Sequence, residues 1–284
     1  AAAEKLSKAT VLAPDDGHGW LLLGQVYDSP PSKKAFAAFA RALAKFERPP
    51  LFLYCRVAEG YRARGDLARA QSVYVDACRS HESAAVAWRG AGAVAIARGA
   101  FLDAETFLEE ANALDTAAAS TWGLLVLANL GAYDSPAQKY RVDQAEKALT
   151  YALDLDLDDA AVLTDVGLAF AKVDRLETAA NALQRAVACC RCCGSPQQRR
   201  ARLALAETFA RQNALTEAAD EYETLLNSGD GGKDDDCGGG AKNNTTVVAD
   251  YHAVLAKLGR VAPAPGGFFS SEPGAATPAS SFSS

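Results

Sequence analysis

Large aromatic residues recur at a fixed interval in the first half of the sequence. Trp20, Tyr54, Trp88 and Trp122 are each separated by 34 residues. A constant period of this length is typical of a chain built from stacked structural units, because each unit buries its apolar face only against its neighbours. The sequence therefore predicts a repeat array.

Small residues follow the aromatic positions at a constant distance. Gly24, Ala58 and Gly92 lie four residues after the aromatic residue of their units, and Gly167 occupies the equivalent position of a later unit. Glycine inside a helix costs about 1 kcal/mol relative to alanine. Its recurrence predicts a close contact between two antiparallel helices within each unit. Gly65 and Gly99 fall between the paired helices, where glycine can end the first one.

This pattern of large and small residues resembles the tetratricopeptide repeat (TPR) family over residues 1–227. The resemblance implies an all-α fold, a right-handed superhelical solenoid of TPR helix pairs. It also implies a concave groove, lined by the first helix of each pair, that binds an extended peptide or a partner helix.

The repeat pattern and the composition divide the chain into five segments. The repeats themselves are interrupted by insertions near 131–144 and 194–198. The expected segments are the second helix of a truncated upstream repeat (1–16), six TPR-like repeats (17–227), a flexible acidic glycine-rich loop (228–246), a C-terminal capping helix (247–259) and a disordered low-complexity tail (260–284).

The charge balance and hydropathy disfavour nucleic-acid and membrane partners. The formal net charge is −6, and no block of lysine and arginine occurs. No apolar run approaches the roughly 18 to 20 residues that a membrane span needs. The N-terminal residues lack the apolar core of a secretory signal. We therefore expect a cytoplasmic protein whose partners are other proteins in a hetero-complex.

Four of the seven cysteines cluster at 189–193, at the end of a predicted second helix. Cys189, Cys190, Cys192 and Cys193 would spread around the helix, so they cannot all converge on one zinc ion from a single turn. A structural or incidental role is the favoured interpretation. Metal binding and redox sensing, with a thiol pKa lowered by nearby arginines, remain as alternatives.

No arrangement of residues predicts catalysis. The three histidines lie far apart in different repeats, and no cofactor motif is present. The acidic run at 154–159 reads as the link between two repeats, with Leu155 and Leu157 turned inward and the carboxylates solvated. We therefore predict a protein that is not an enzyme, with no catalytic, cofactor-binding or metal-binding residues.

The repeat register assigns the residues that line the groove. Lysine and asparagine residues of the kind that clasp chaperone C-termini in some TPR proteins are absent from the corresponding positions. The predicted partner-binding residues are Gln25, Arg56, Glu59, Arg62, Arg89, Ala93, Ile96, Leu124, Leu127, Asp165 and Leu168.

A more distant resemblance concerns the segment 120–167, which begins STWGLLVLANLGAYDSPAQ. It is similar to the C-terminal TPR region of cilia- and flagella-associated proteins of the axonemal central apparatus. That resemblance implies a structural scaffold of the cilium or flagellum, part of the axonemal cytoskeleton. A soluble adaptor that binds peptides reversibly is the alternative function, and a cysteine-based redox or metal sensor is a third.

Overall fold

The computed structural model of the chain describes residues 2–28, 33–190, 195–227 and 244–259. Within these residues every regular element is helical, so the predicted all-α solenoid of TPR helix pairs is confirmed. A short 3-10 helix, Pro136–Gln138, precedes α9. The α-helices are α1 (Ala2–Leu12), α2 (Gly17–Tyr27), α3 (Lys33–Lys45), α4 (Leu51–Arg62), α5 (Leu67–Ser80), α6 (Ala85–Ala97), α7 (Phe101–Leu114), α8 (Ala119–Gly131), α9 (Lys139–Asp154), α10 (Ala160–Lys172), α11 (Leu176–Cys189), α12 (Pro196–Arg211), α13 (Leu215–Asn227) and α14 (Asn244–Lys257).

The chain divides into two compact units, Ala1–Ala169 and Phe170–Ser284. In the first unit, the most extensive contacts join α2 with α3, α4 with α5, α6 with α7 and α8 with α9. These are the helix pairs that the 34-residue period predicts. Each of the first three pairs also contacts the next one along the chain, and α4, α5 and α6 share one core that includes Tyr54, Ala58, Ala70, Tyr74 and Val94.

Glycine creates the space in which the paired helices meet. A Cβ atom added at Gly24 would lie 2.6 Å from the Phe39 ring, and one added at Gly92 would lie 2.6 Å from Cγ of Leu108. Phe39 and Leu108 belong to the second helix of the same pair. The predicted close approach at these small residues is therefore confirmed.

The repeating tryptophans hold consecutive helix pairs together. The indole N–H groups of Trp20, Trp88 and Trp122 each donate a 3.0 Å hydrogen bond to the backbone carbonyl six residues earlier, in the turn from the preceding helix. Rings also pack within their own pair, as when Trp88 lies 6.1 Å from the Phe107 ring centroid. Tryptophan thus contacts both the preceding turn and the second helix of its own pair.

In four of the helix pairs the turn between the two helices contains one residue with positive φ. Gly65 and Gly99 have φ values of 76° and 75°, and Asp174 and Asn213 occupy the same repeat position with φ values of 62° and 64°. Glycine, asparagine and aspartate are the residues that adopt this left-handed conformation most readily. The prediction that Gly65 and Gly99 lie where the first helix ends is confirmed.

The second unit has its own core, formed by α12, α13 and α14. Val247, Tyr251 and Val254 of α14 pack with Tyr222 and Leu225 of α13. Helix α14 begins at Asn244, three residues before the expected start, and ends at Lys257. The acidic glycine-rich loop, apart from its last three residues, and the low-complexity tail from residue 260 onward lie outside the described residues.

The prediction that Leu155 and Leu157 both turn inward is wrong for Leu155. Leu157 is 2% exposed, whereas Leu155 is 39% exposed. Helix α9 ends at Asp154, and Asp156 then adopts a positive φ of 55°. This change of direction carries Leu157 to within 3.1 Å of the Cβ position of Gly123, and it leaves Leu155 at the surface.

Substitution of Gly92 by alanine tests the helix contact. Overpacking a core costs roughly 1 to 3 kcal/mol, more than the gain in helix propensity of up to about 1 kcal/mol. Gly92→Ala should therefore lower the midpoint of urea denaturation. Gly19→Ala is the matched control, because its Cβ would meet no heavy atom closer than 3.3 Å. A Gly92→Ala protein as stable as the unsubstituted chain would contradict the assigned packing.

The left-handed backbone conformation at Gly99 can be tested separately from side-chain packing. A Cβ at Gly99 would meet nothing within 4 Å, so only the backbone conformation opposes a side chain there. Gly99→Val should destabilise the fold by about 1 to 2 kcal/mol more than Gly99→Asn. Equal denaturation midpoints for the two variants would show that the left-handed conformation is not required.

Candidate partner-binding face

The first helices of the pairs lie side by side in the first unit. Helix α4 contacts α6 directly, and α6 contacts α8. Their side chains that turn away from the second helices therefore form one surface, which we call the first-helix face. Eight of the residues that the repeat register assigns to the groove belong to these three helices.

None of the predicted groove residues is buried. Gln25, Arg56 and Arg62 are exposed. The half-buried residues are Glu59, Arg89, Ala93, Ile96, Leu124, Leu127, Asp165 and Leu168.

The charged groups at the α2–α4 end already have intrachain partners. Arg56 pairs with Asp28, and Arg62 donates a hydrogen bond of 2.8 Å from Nε to Glu59. The hydrogen bond from Arg62 lowers the pKa of Glu59, although partial burial opposes the shift. These charges are therefore largely neutralised, and exposed ion pairs of this kind contribute little stability.

Tyr74 reaches this face from the second helix α5. A Cβ at Gly90 would lie 2.3 Å from the Tyr74 ring, so glycine is what admits the ring beside α6. Burial raises the pKa of the Tyr74 phenol to about 12, with a further contribution from Cys55 and Glu59. Burial also raises the pKa of the Cys55 thiol. Both groups are protonated and neutral at neutral pH.

Two exposed apolar residues of the first-helix face escaped the sequence prediction. Phe52 is 44% exposed and Val86 is 47% exposed, near the starts of α4 and α6. Phe52 lies two residues before Tyr54, and Val86 lies two residues before Trp88. Because they occupy the same position of the repeat, the sequence could have identified them.

The remaining apolar part of the face belongs to α6 and α8. Ala93 and Ile96 on α6, with Leu124 and Leu127 on α8, are half-buried because neighbouring first helices cover one side of them. With Phe52 and Val86 they give the face an apolar character. A surface of this composition is suited to packing against another polypeptide.

The described cysteines do not form a ligand set. Cys189 and Cys190 are half-buried, while Cys192 and Cys193 lie outside the described residues. No group of three or more histidine, cysteine, aspartate or glutamate side chains that could hold a metal ion occurs in the described ranges. Burial raises the pKa of the Cys78 thiol to about 11, which disfavours the reactive thiolate.

The repeated helix pairs, the inter-pair tryptophans and the first-helix face define a TPR solenoid, a class whose members generally mediate protein–protein interactions. Residues 1–242 match the family of the cilia and flagella-associated protein 70 C-terminal domain. The chain belongs to this family.

Solved structures with a similar fold come from unrelated sources. The chain matches a thermophilic TPR protein of Thermus thermophilus with 19% identity and a TM-score of 0.53, covering 73% of this chain and 100% of that one. A TPR protein of Parabacteroides merdae matches with 12% identity and a TM-score of 0.60, over 89% and 91% of the two chains. At these identities the likeness shows the fold alone.

An APC/C hetero-tetramer, Cut9–Hcn1, also contains a similar chain, with 16% identity and a TM-score of 0.62. The match covers 89% of this chain and 46% of that one. Comparison with curated proteins gave no match. Among the described helices, none is long and apolar enough to cross a membrane.

The raised pKa of Tyr74 predicts how stability depends on alkaline pH. The unfolded phenol loses its proton near its ordinary pKa of 10.0, whereas the folded phenol keeps it until about pH 12. The unfolded state therefore gains relative stability as pH rises through this window. Tyr74→Phe should reduce the loss of stability between pH 10 and 12, measured by urea denaturation. Parallel curves for the two proteins would show that Tyr74 titrates normally.

Proposed function

We propose that this chain is a non-catalytic interaction segment that anchors a structural subunit within the ciliary or flagellar axoneme. The observation that carries the proposal is the first-helix face, which presents apolar side chains from α4, α6 and α8 outside the cores of the helix pairs. The family match supports the axonemal setting, because the family's description names cilia and flagella.

The charges of the face favour an apolar partner over a free carboxylate. Arg56 and Arg62 are already engaged with Asp28 and Glu59, so a bound carboxylate would have to compete with these pairs. Gly90 leaves no side chain with which to bind one, because Tyr74 fills that space. A C-terminal carboxylate is therefore a poor fit to this surface.

The partner that fits is a helix or extended segment with apolar anchors. Phe52 and Val86 would contact its first part, and Ile96 and Leu127 would contact its continuation along α6 and α8. Arg89 and Asp165 bound this region with opposite charges, which would fix the direction of the segment. We propose no nucleic-acid or membrane partner.

A scaffold held permanently in an assembly and an adaptor that binds peptides reversibly differ in how readily their partner dissociates. A scaffold buries a large apolar interface and stays bound through salt washes, whereas an adaptor with a small interface is extracted. We favour the scaffold because the face combines several apolar side chains with Arg56 and Arg62, which are already paired within the chain.

The test places variants of the full-length protein in ciliated cells that lack their own copy. Ile96→Asp with Leu127→Asp should abolish retention in salt-washed, detergent-extracted axonemes, because it buries charge in the interface. Ser72→Asp with Thr106→Asp is the matched control, since both residues are exposed on the second helices α5 and α7. The control should be retained like the unsubstituted protein.

A second pair separates loss of binding from loss of folding. Phe52→Ser with Val86→Ser alters two side chains that are each about half exposed and lie outside the cores of the helix pairs, so the circular dichroism melt should change little. Retention should still fall about tenfold or more, as expected when apolar anchors are removed. If both first-helix pairs are retained and the control pair is lost, the partner binds the second-helix surface instead.

A further inference from the structure

A second apolar surface lies where α7 and α9 end, away from the first-helix face. Leu114 is the last residue of α7 and is 44% exposed. Tyr151 lies in the last turn of α9 and is 56% exposed, and Leu155, the next residue after that helix, is also at the surface. These side chains take no part in the core that unites α4, α5 and α6.

Trp122 contacts both the turn after α7 and the last turn of α9. Its ring centroid is 5.0 Å from that of Tyr151, and its indole N–H donates to the carbonyl of Thr116, two residues after Leu114. The N–H of Leu155 donates to the carbonyl of Tyr151, one helical turn before it. We call the surface formed by Leu114, Trp122, Tyr151 and Leu155 the α7/α9 edge.

The chain segments that form this edge carry charge of one sign. No lysine, arginine or histidine occurs between Arg98 and Lys139, or between Lys147 and Lys172, and these two stretches build the edge. Exposed carboxylates of Asp115, Asp154 and Asp158 adjoin the apolar side chains in the chain. The carbonyl ends of α7 and α9 add negative potential at the same place.

Hydrogen bonds from backbone N–H groups account for only some of these carboxylates. Asp115 accepts a hydrogen bond of 3.2 Å from the N–H of Ala117, and Asp159 accepts one of 2.9 Å from the N–H of Ala161. Asp154 instead stands in the last turn of α9, where a carboxylate opposes the helix dipole and a basic residue would be favourable. Neither α7 nor α9 has a basic residue in its last turn. The carboxylate of Asp154 thus adds negative charge at the end of α9 at some cost to the stability of that helix.

We propose that the α7/α9 edge binds a basic amphipathic segment of another protein. Leucine or aromatic side chains of that segment would pack on Tyr151, Leu155 and Leu114, and its lysine or arginine residues would face the flanking carboxylates. A second copy of this edge and an anionic lipid surface would both be repelled by the same field. This interaction is independent of the partner on the first-helix face.

The probe is a short helical peptide with leucine on one face and lysine on the other, titrated into the protein and followed by fluorescence anisotropy. The chain should bind it at least about tenfold more tightly than the same peptide with glutamate in place of lysine. Serine in place of leucine should weaken binding similarly, and salt should weaken binding of the lysine–leucine peptide.

Three variant pairs locate the binding site. Leu114→Ser with Leu155→Ser should weaken binding about tenfold, and Asp154→Asn with Asp158→Asn should weaken it and reduce its salt dependence. Phe52→Ser with Val86→Ser, on the first-helix face, should leave it unchanged. An unchanged circular dichroism melt shows that each exposed pair keeps the fold.

The proposal is overturned if the basic peptide fails to bind, if it binds no better than the acidic one, or if the α7/α9 edge variants bind as well as the unsubstituted chain. Loss of binding in the Phe52 and Val86 pair alone would place the peptide on the first-helix face. Because axonemal retention is scored with other substitutions, failure here leaves the test of the proposed function intact.

Discussion

The close approach of paired helices at glycine and alanine is the constraint on which the rest of the structure depends. At Gly24 and Gly92 the backbone of a first helix touches a large side chain of the second, at distances that no Cβ atom would permit. The large residue then fills the space that the small one leaves, which gives interior packing without voids. Once this contact is set in each pair, the direction of both helices and the position of the turn between them follow.

The tryptophans extend this local geometry from one pair to the next. Because the indole N–H groups of Trp20, Trp88 and Trp122 are bonded to carbonyls in the preceding turn, a side chain inside the pair ties that pair to the turn before it. In a chain organised this way each pair contacts mainly its neighbours, and stability is close to a sum of local terms. Surface residues outside those contacts, such as Phe52 and Val86, can therefore vary with function at little cost to the fold.

The sequence predicted what depends on periodic spacing and missed what depends on chain direction at helix ends. The glycine contacts and the turns at Gly65 and Gly99 follow from repeat position alone. Leu155 was placed inward together with Leu157, but the positive φ of Asp156 turns the chain between them, and residue spacing does not encode that turn. Phe52 and Val86 were not among the predicted partner-binding residues, although both occupy the same position of the repeat.

The distribution of charge separates the two proposed surfaces in physical terms. On the first-helix face, Arg56 and Arg62 are paired with carboxylates within the chain, so burial of apolar area would contribute most to binding. At the α7/α9 edge, carboxylates and helix C-termini lie in chain segments without lysine, arginine or histidine, so long-range attraction would select the sign of the proposed partner before contact. A solenoid can carry both because the first helices form one surface and the ends of second helices form another. The kind of partner that fits an exposed apolar side chain therefore depends on the electrostatic potential around it as well as on its exposed area.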